Sequence, residues 1–120
     1  MKAIELIQMA RIATYDTDLA KATWKDKQYL AALNDGRAFL YGKYPEARVT
    51  AVVGLTTYAD IEESNLSTTM TEDDVYRAFL IEWMGYRFFD AGSRDTANRQ
   101  KAQDHKQDAL LALTPLAGGG

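Results

Sequence analysis

Residues 24–45, W-K-D-K-Q-Y-L-A-A-L-N-D-G-R-A-F-L-Y-G-K-Y-P, decide the fold class of this chain. Within them Leu30, Leu33, Arg37, Leu40, Tyr41 and Tyr44 recur at spacings of three and four, the period of a helix and not the strand period of two. The spacing predicts one helix of about six turns. It opens near Thr23, with Asp26 three residues on as in a capping box. Pro45 closes it, because the residue before a proline is pushed out of the helical region. Two features depart from an ordinary amphipathic helix. Asn34, Asp35 and Gly36 sit in its middle, where glycine costs about 1 kcal/mol against alanine, and Gly42 repeats the departure near its end. A helix that keeps such residues has something packed closely against its backbone.

Outward from this stretch, residues 3–14 read as a first helix. Ala3, Leu6, Ile7, Ala10 and Ala13 fall on one face, with Glu5, Gln8 and Arg11 largely off it. The Y-D-T-D sequence ending at Asp18 supplies turn formers. After Pro45 the composition turns β-branched, so 49–53 and 55–58 are expected as short extended segments or as an extended loop, followed by a polar loop over 60–70. A connection of this length with little regular structure tends to be functional or ordered by a partner.

A third helix is expected from an N-cap at Thr71, with Glu72, Asp73 and Asp74 in the positions its dipole favours. It runs to about Ala91 and ends at a left-handed Gly92. It is apolar on nearly every side, and Arg77, Glu82 and Arg87 form no polar stripe. Such a helix is buried, either at the centre of its own chain or partly beneath another subunit. A fourth helix over 95–113 is the reverse. Its stripe of Ala97, Ala102, Ala109 and Leu113 is too thin to dock it firmly, and Asp95 and Arg99 form an i,i+4 pair. The ending T-P-L-A-G-G-G is expected as a flexible tail. The expectation is a mainly α protein: a small four-helix bundle over 1–113, an extended or short hairpin-like loop over 46–70, and a tail over 114–120.

Composition sets broad bounds. A chain of 120 residues, 47% hydrophobic and 26% charged, fits one soluble domain with a modest core. No apolar run reaches the roughly 18–20 residues of a membrane span, and Lys2 before a short mixed segment gives no signal peptide. The absence of cysteine removes disulfides and thiolate metal sites. A formal charge of −3 argues against nucleic-acid binding as the main activity. His105, the single histidine, has no serine, cysteine or paired carboxylate at a catalytic spacing and reads as a solvated helix residue. The acidic runs lack a calcium-loop pattern, and the terminal glycines lack the strand and lysine of a phosphate loop. Neither enzyme chemistry nor a cofactor or metal is expected.

The pattern W-x-D-x-x-Y-L-x-x-L-N-D-G-R, from Trp24 through Leu33, Asn34, Asp35 and Gly36 to Arg37, is followed soon by Y-P-E-A. It resembles the head–tail adaptor (head-completion, or connector) proteins of tailed bacteriophages. The C-terminal half is similar as well: an acid-capped helix reaching E-W-M-G-Y-R-F-F, with Tyr86; the break D-A-G-S-R-D, with Arg94 and Asp95; then A-N-R-Q-K-A-Q-D-H. The resemblance spans about residues 3–45 and 71–113 and fades between them, where such proteins often carry a longer β-rich insertion. It implies a helical protomer that assembles as a ring, usually of twelve copies, under the portal protein of the virion, after assembly in the host cytoplasm. The ring would extend the DNA channel, let genomic DNA pass without specific binding, and dock a tail or nozzle protein. It also implies a portal contact through a terminal segment, with Thr114, Pro115, Leu116, Ala117 and Gly118 as candidates. The alternative is a small helical regulatory or DNA-binding domain, in which 94–106 would be the recognition helix; its basic residues are interrupted by Asp95 and Asp104.

Overall fold

The computed structural model describes residues 1–43, 60–70, 72, 74–92 and 95–118. These form four α-helices: α1, Ala3–Ala13; α2, Asp26–Lys43; α3, Arg77–Ala91; and α4, Thr96–Gly118. Three single 3₁₀ turns, Leu19–Lys21, Glu63–Asn65 and Asp74–Tyr76, join them. The mainly helical bundle is as expected. Among the described residues the only β pairing is an isolated antiparallel bridge between Lys2 and Thr69. The extended segments expected at 49–53 and 55–58 lie outside the described residues, as do Tyr44, Pro45, Thr71 and Asp73.

The apolar spacing of α1 does what it predicts: Ala3, Leu6, Ile7 and Ala10 are fully buried. Arg11, expected off that face, is buried too, because acidic partners meet it there. The helix ends in a Schellman-type turn, with the Asp16 N–H donating to the Arg11 carbonyl at 2.8 Å and the Tyr15 N–H to Ile12 at 3.2 Å. Tyr15 therefore has φ 59°, the left-handed region where glycine is usual, at a cost of about 1–2 kcal/mol for any other residue.

Helix α2 starts at Asp26 and not beside Thr23. The backbone N–H groups of Thr23 and Trp24 are taken by the Asp16 carboxylate, at 2.8 and 3.1 Å, and Lys25 N–H is accepted by Gln28 Oε1 at 2.7 Å. Cap donors are thus satisfied from a distant loop as well as locally. Asn34, Asp35 and Gly36 do not interrupt the helix, which is continuous to Lys43.

Helix α3 is the central element, and each of the other three packs on it. Phe79, Trp83 and Arg87, four residues apart, face α2; Glu82, Gly85 and Phe89 lie on a different side and meet α4. Two expectations about its ends need correction. The helix proper begins only at Arg77, and Glu72 is not a dipole-facing acid but a buried ion-pair partner of Arg37. Gly92 caps the end with φ −102°, outside the left-handed region. Glycine fits there because a Cβ would lie 3.0 Å from Asn98 Nδ2 of α4.

Helix α4 is longer and better docked than expected. Ala102, Ala109 and Leu113 are buried, Ala97 is exposed, and His105 fills the gap between the small residues. Asp95 and Arg99 do not pair. The Asp95 carboxylate instead accepts the Ala97 N–H at 2.8 Å as an N-cap, and Arg99 reaches the Thr96 hydroxyl at 3.2 Å. Nor does Pro115 end the helix, so residues 114–118 are a helical continuation rather than a separate tail. Proline's fixed φ is itself helical, and the turn that leads into it is anchored by buried Leu113. The pairs Gly92–Asn98, Phe89–Lys101 and Gly85–His105 step in antiparallel register. The same register sets Leu113 opposite Arg77, so residues 114–118 continue past the first turn of α3. None of the helices, over the described residues, is long and apolar enough to cross a membrane.

Candidate functional site

The four residues at the centre of α2 are each engaged by a neighbour, Asp35 and Gly36 by the same one, Trp83. Asn34 clamps the backbone of Ile61 twice: its Nδ2 donates to the Ile61 carbonyl at 3.0 Å and its Oδ1 accepts the Ile61 N–H at 2.9 Å. Asp35 accepts the Trp83 indole N–H at 2.9 Å and lies 3.4 Å from the Arg87 guanidinium. Gly36 lies under Trp83 so closely that a Cβ would sit 2.9 Å from the ring. Arg37, buried, donates to Glu72 at 3.0 Å, to Asn34 Oδ1 at 2.9 Å and to the Tyr41 hydroxyl at 3.4 Å. A buried ion pair is retained only when both charges are compensated, and here the guanidinium serves three acceptors among the described residues. The middle of α2 is thus the junction where α3 and the 60–72 segment meet. Leu33, on the same helix, is fully buried in the core.

The other residues of the sequence pattern are spread along the bundle. Trp24 packs edge-on against Tyr29 and Phe88, with ring centres 5.2 Å apart in each case. Tyr86 meets Trp83 edge-on, and Arg87 and Lys106 lie over its ring. Asp95 caps α4. Arg94 lies outside the described residues.

A second polar junction, beneath Trp24, was not legible in the sequence beyond its turn-forming residues. Asp16 is buried and accepts from Thr23, Trp24, the Tyr29 hydroxyl at 2.9 Å and Arg11 at 3.3 Å. Burial pushes its carboxyl up, but the two backbone donors, the tyrosine hydroxyl and the guanidinium outweigh this and hold it below the ordinary carboxylate range. Tyr29 is shifted the other way: burial and the neighbouring Asp16 charge raise it well above the usual phenol range. Arg11 also reaches Asp26 at 2.8 Å, and Thr14 bonds Tyr29 at 2.8 Å, which ties α1 to α2.

His105 is the residue that sequence reasoning misplaced most. It is only partly exposed: its ring stacks on Phe89 with centres 5.4 Å apart, and Nδ1 lies 2.6 Å from Glu82 Oε2. Gly85 makes this possible, since a Cβ there would lie 2.9 Å from Nδ1. The mid-helix glycine was the available signal. The chemistry at both junctions is that of fastening: carboxylates are occupied by guanidinium, indole, hydroxyl and amide donors. An open groove of about 780 Å³ runs beside the first junction, between α2 residues including Lys27, Asn34 and Asp35 and the segment holding Asp60 and Ile61. Comparison of the chain with protein-family models, with curated proteins and with solved structures gives no significant match.

Proposed function

We infer that the chain is a structural virion protein, a head–tail adaptor that assembles as a ring under a portal, extends the DNA channel and offers a docking surface to a tail or nozzle protein. The observation that carries this reading is the use made of Asn34, Asp35, Gly36 and Arg37. These four residues are committed to joining elements: Asn34 and Asp35 line the open groove, but their polar atoms are engaged by Ile61, Trp83 and Arg87. Helix α4, carried past the start of α3, suits an arm that reaches a portal. The DNA-reading alternative loses support from the same helix, because Lys101 and Lys106 lie over Phe89 and Tyr86, each 5.3 Å from the ring centre.

The test is native mass, by sedimentation, of the purified chain alone and mixed with a portal ring. A multimer, or co-sedimentation with the portal, is expected. A strict monomer without portal affinity at high concentration would overturn the reading. Removing residues 114–120 is expected to weaken portal binding while leaving the helical signal and unfolding midpoint nearly unchanged; undiminished binding would dismiss the arm.

A further inference from the structure

Large apolar side chains are exposed along α1 and the turn after it, where Ile12 is among them, at Val75 before α3, and on α4; the first and last of these places form a pair. At the end of α1, Tyr15 is 90% and Leu19 72% exposed. On α4, Leu111 is 58% exposed. Single exposed apolar residues are common, but Tyr15 keeps a bulky aromatic ring at a backbone position that favours glycine. Tyrosine is also among the residues that dominate interface energetics.

The surroundings of the two places are opposite in charge. Leu19 and Ala22 line a shallow depression of about 390 Å³ together with Lys25 and Lys27. Of its other charged residues, Arg11 and Asp26 pair with each other, and Glu63 is the remaining acid. On α4, Ala102, His105, Ala109 and Leu113 face α3, so Asp104, Asp108 and Leu111, at i, i+4 and i+7, form an outward stripe, exposed throughout. The nearby lysines are drawn back onto rings of α3, which leaves that stripe acidic. The two surfaces are also on different sides of the molecule. Helix α1 is tied to α2, on the Trp83 side of α3, whereas α4 covers the Gly85 side.

We propose that these surfaces are two halves of one interface: the Asp104–Asp108–Leu111 stripe of one copy seats in the Leu19 depression of the next, with Lys25 and Lys27 against the two aspartates and Tyr15 at the edge. The inference rests on the adaptor reading only in taking a second copy of the chain as the occupant. Because the two surfaces lie on different sides of the molecule, one partner cannot engage both at once, so the contact is head-to-tail, the type that closes into a ring when its rotation permits; a doubly substituted chain that stops at a dimer would overturn this.

The chain has no cysteine, so single thiols report the contact directly. Leu19→Cys and Leu111→Cys, both at exposed positions, are treated with a short bis-maleimide separately and as a mixture. The mixture should cross-link to a dimer while neither variant alone does, and a chain carrying both should give a ladder. Self-linking of either single variant would overturn the proposal in favour of a two-fold contact. Failure of every pairing in a chain that sediments as a multimer would overturn the assigned surfaces while leaving the adaptor reading in place. Failure in a monomer would overturn them too, and portal co-sedimentation then judges the adaptor reading separately. As a second arm, Lys25→Glu with Lys27→Glu should weaken self-association about fivefold to tenfold. Mixing that variant with Asp104→Lys/Asp108→Lys should restore it; unchanged association in the lysine variant, or no restoration, would reject the charge pairing.

Discussion

Helix α3 carries a glycine contact on each side, and the two are built in opposite senses. Toward α2, the glycine belongs to the partner, and the large ring, Trp83, belongs to α3; the seam is flanked by Asp35, Arg87 and the buried Arg37–Glu72 pair. Toward α4, the glycine is Gly85 of α3, and the ring is His105 of the partner, half-buried and flanked by alanines. The first seam combines close packing with buried charge that must stay paired. The second has small side chains and a ring that can swing toward solvent. The difference teaches that the same device, a glycine under a ring, locks two helices when the ring is a buried indole and only fastens them when it is a partly exposed imidazole.

The sharpest way to break the contrast is Arg37→Ala. It takes from the fully buried Glu72 side chain its 3.0 Å partner and should cost about 4 kcal/mol, read by urea unfolding. Asp16→Ala, on the same side of α3, should cost about 3 kcal/mol by leaving buried donors without their acceptor. Its pH signature is equally specific. The Asp16 carboxyl is lowered in the folded state, so its contribution is complete above the unfolded value of about 3.9 and is lost as pH falls below it. Acid titration of unfolding should therefore be less steep below pH ~4 in the variant than in the parent. Gly36→Ala should cost about 1–2 kcal/mol, the overpacking against Trp83 outweighing the helix-propensity gain. Gly85→Ala should cost under about 1 kcal/mol, because the same gain is set against a ring that can yield. Equal losses at the two glycines, measured by thermal unfolding, would erase the distinction between the seams.

Much of the bundle was legible, and what was not has a common cause. The apolar spacings of α1, α2 and α3 gave their places, because a buried face writes itself into local sequence. Gly36 likewise announced a close contact, whereas Gly42, read in the same way, has nothing among the described residues within 4 Å of where a Cβ would lie. Asp16, Glu72 and His105 could not be read that way. Each is polar, so burial goes against its composition, and the partners that make it affordable follow no helical period. Glu72 lies 35 positions from Arg37 and His105 23 from Glu82, while those of Asp16 are scattered 5 to 13 positions away across a turn. The helical course past Pro115 was missed for a related reason. Proline's local penalty is visible in sequence, whereas the tertiary anchoring of Leu113 is not.

The clamp of Asn34 on Ile61 has a consequence for how this fold can vary. One side chain supplies both the donor and the acceptor that a neighbouring β-strand would otherwise provide, and one turn further along α2 the Arg37–Glu72 pair secures the other end of the same segment. The chain that leaves α2 after Lys43 therefore needs only to deliver Ile61 to a fixed address. Because the closure penalty grows with the logarithm of length, by about 0.6 kcal/mol for each doubling, material can be added to or removed from that connection at little thermodynamic expense. The bundle is in this sense a socket with an exchangeable insert, whose returning end is received by the Asn34 amide, the Arg37–Glu72 pair and the backbone at the start of α1.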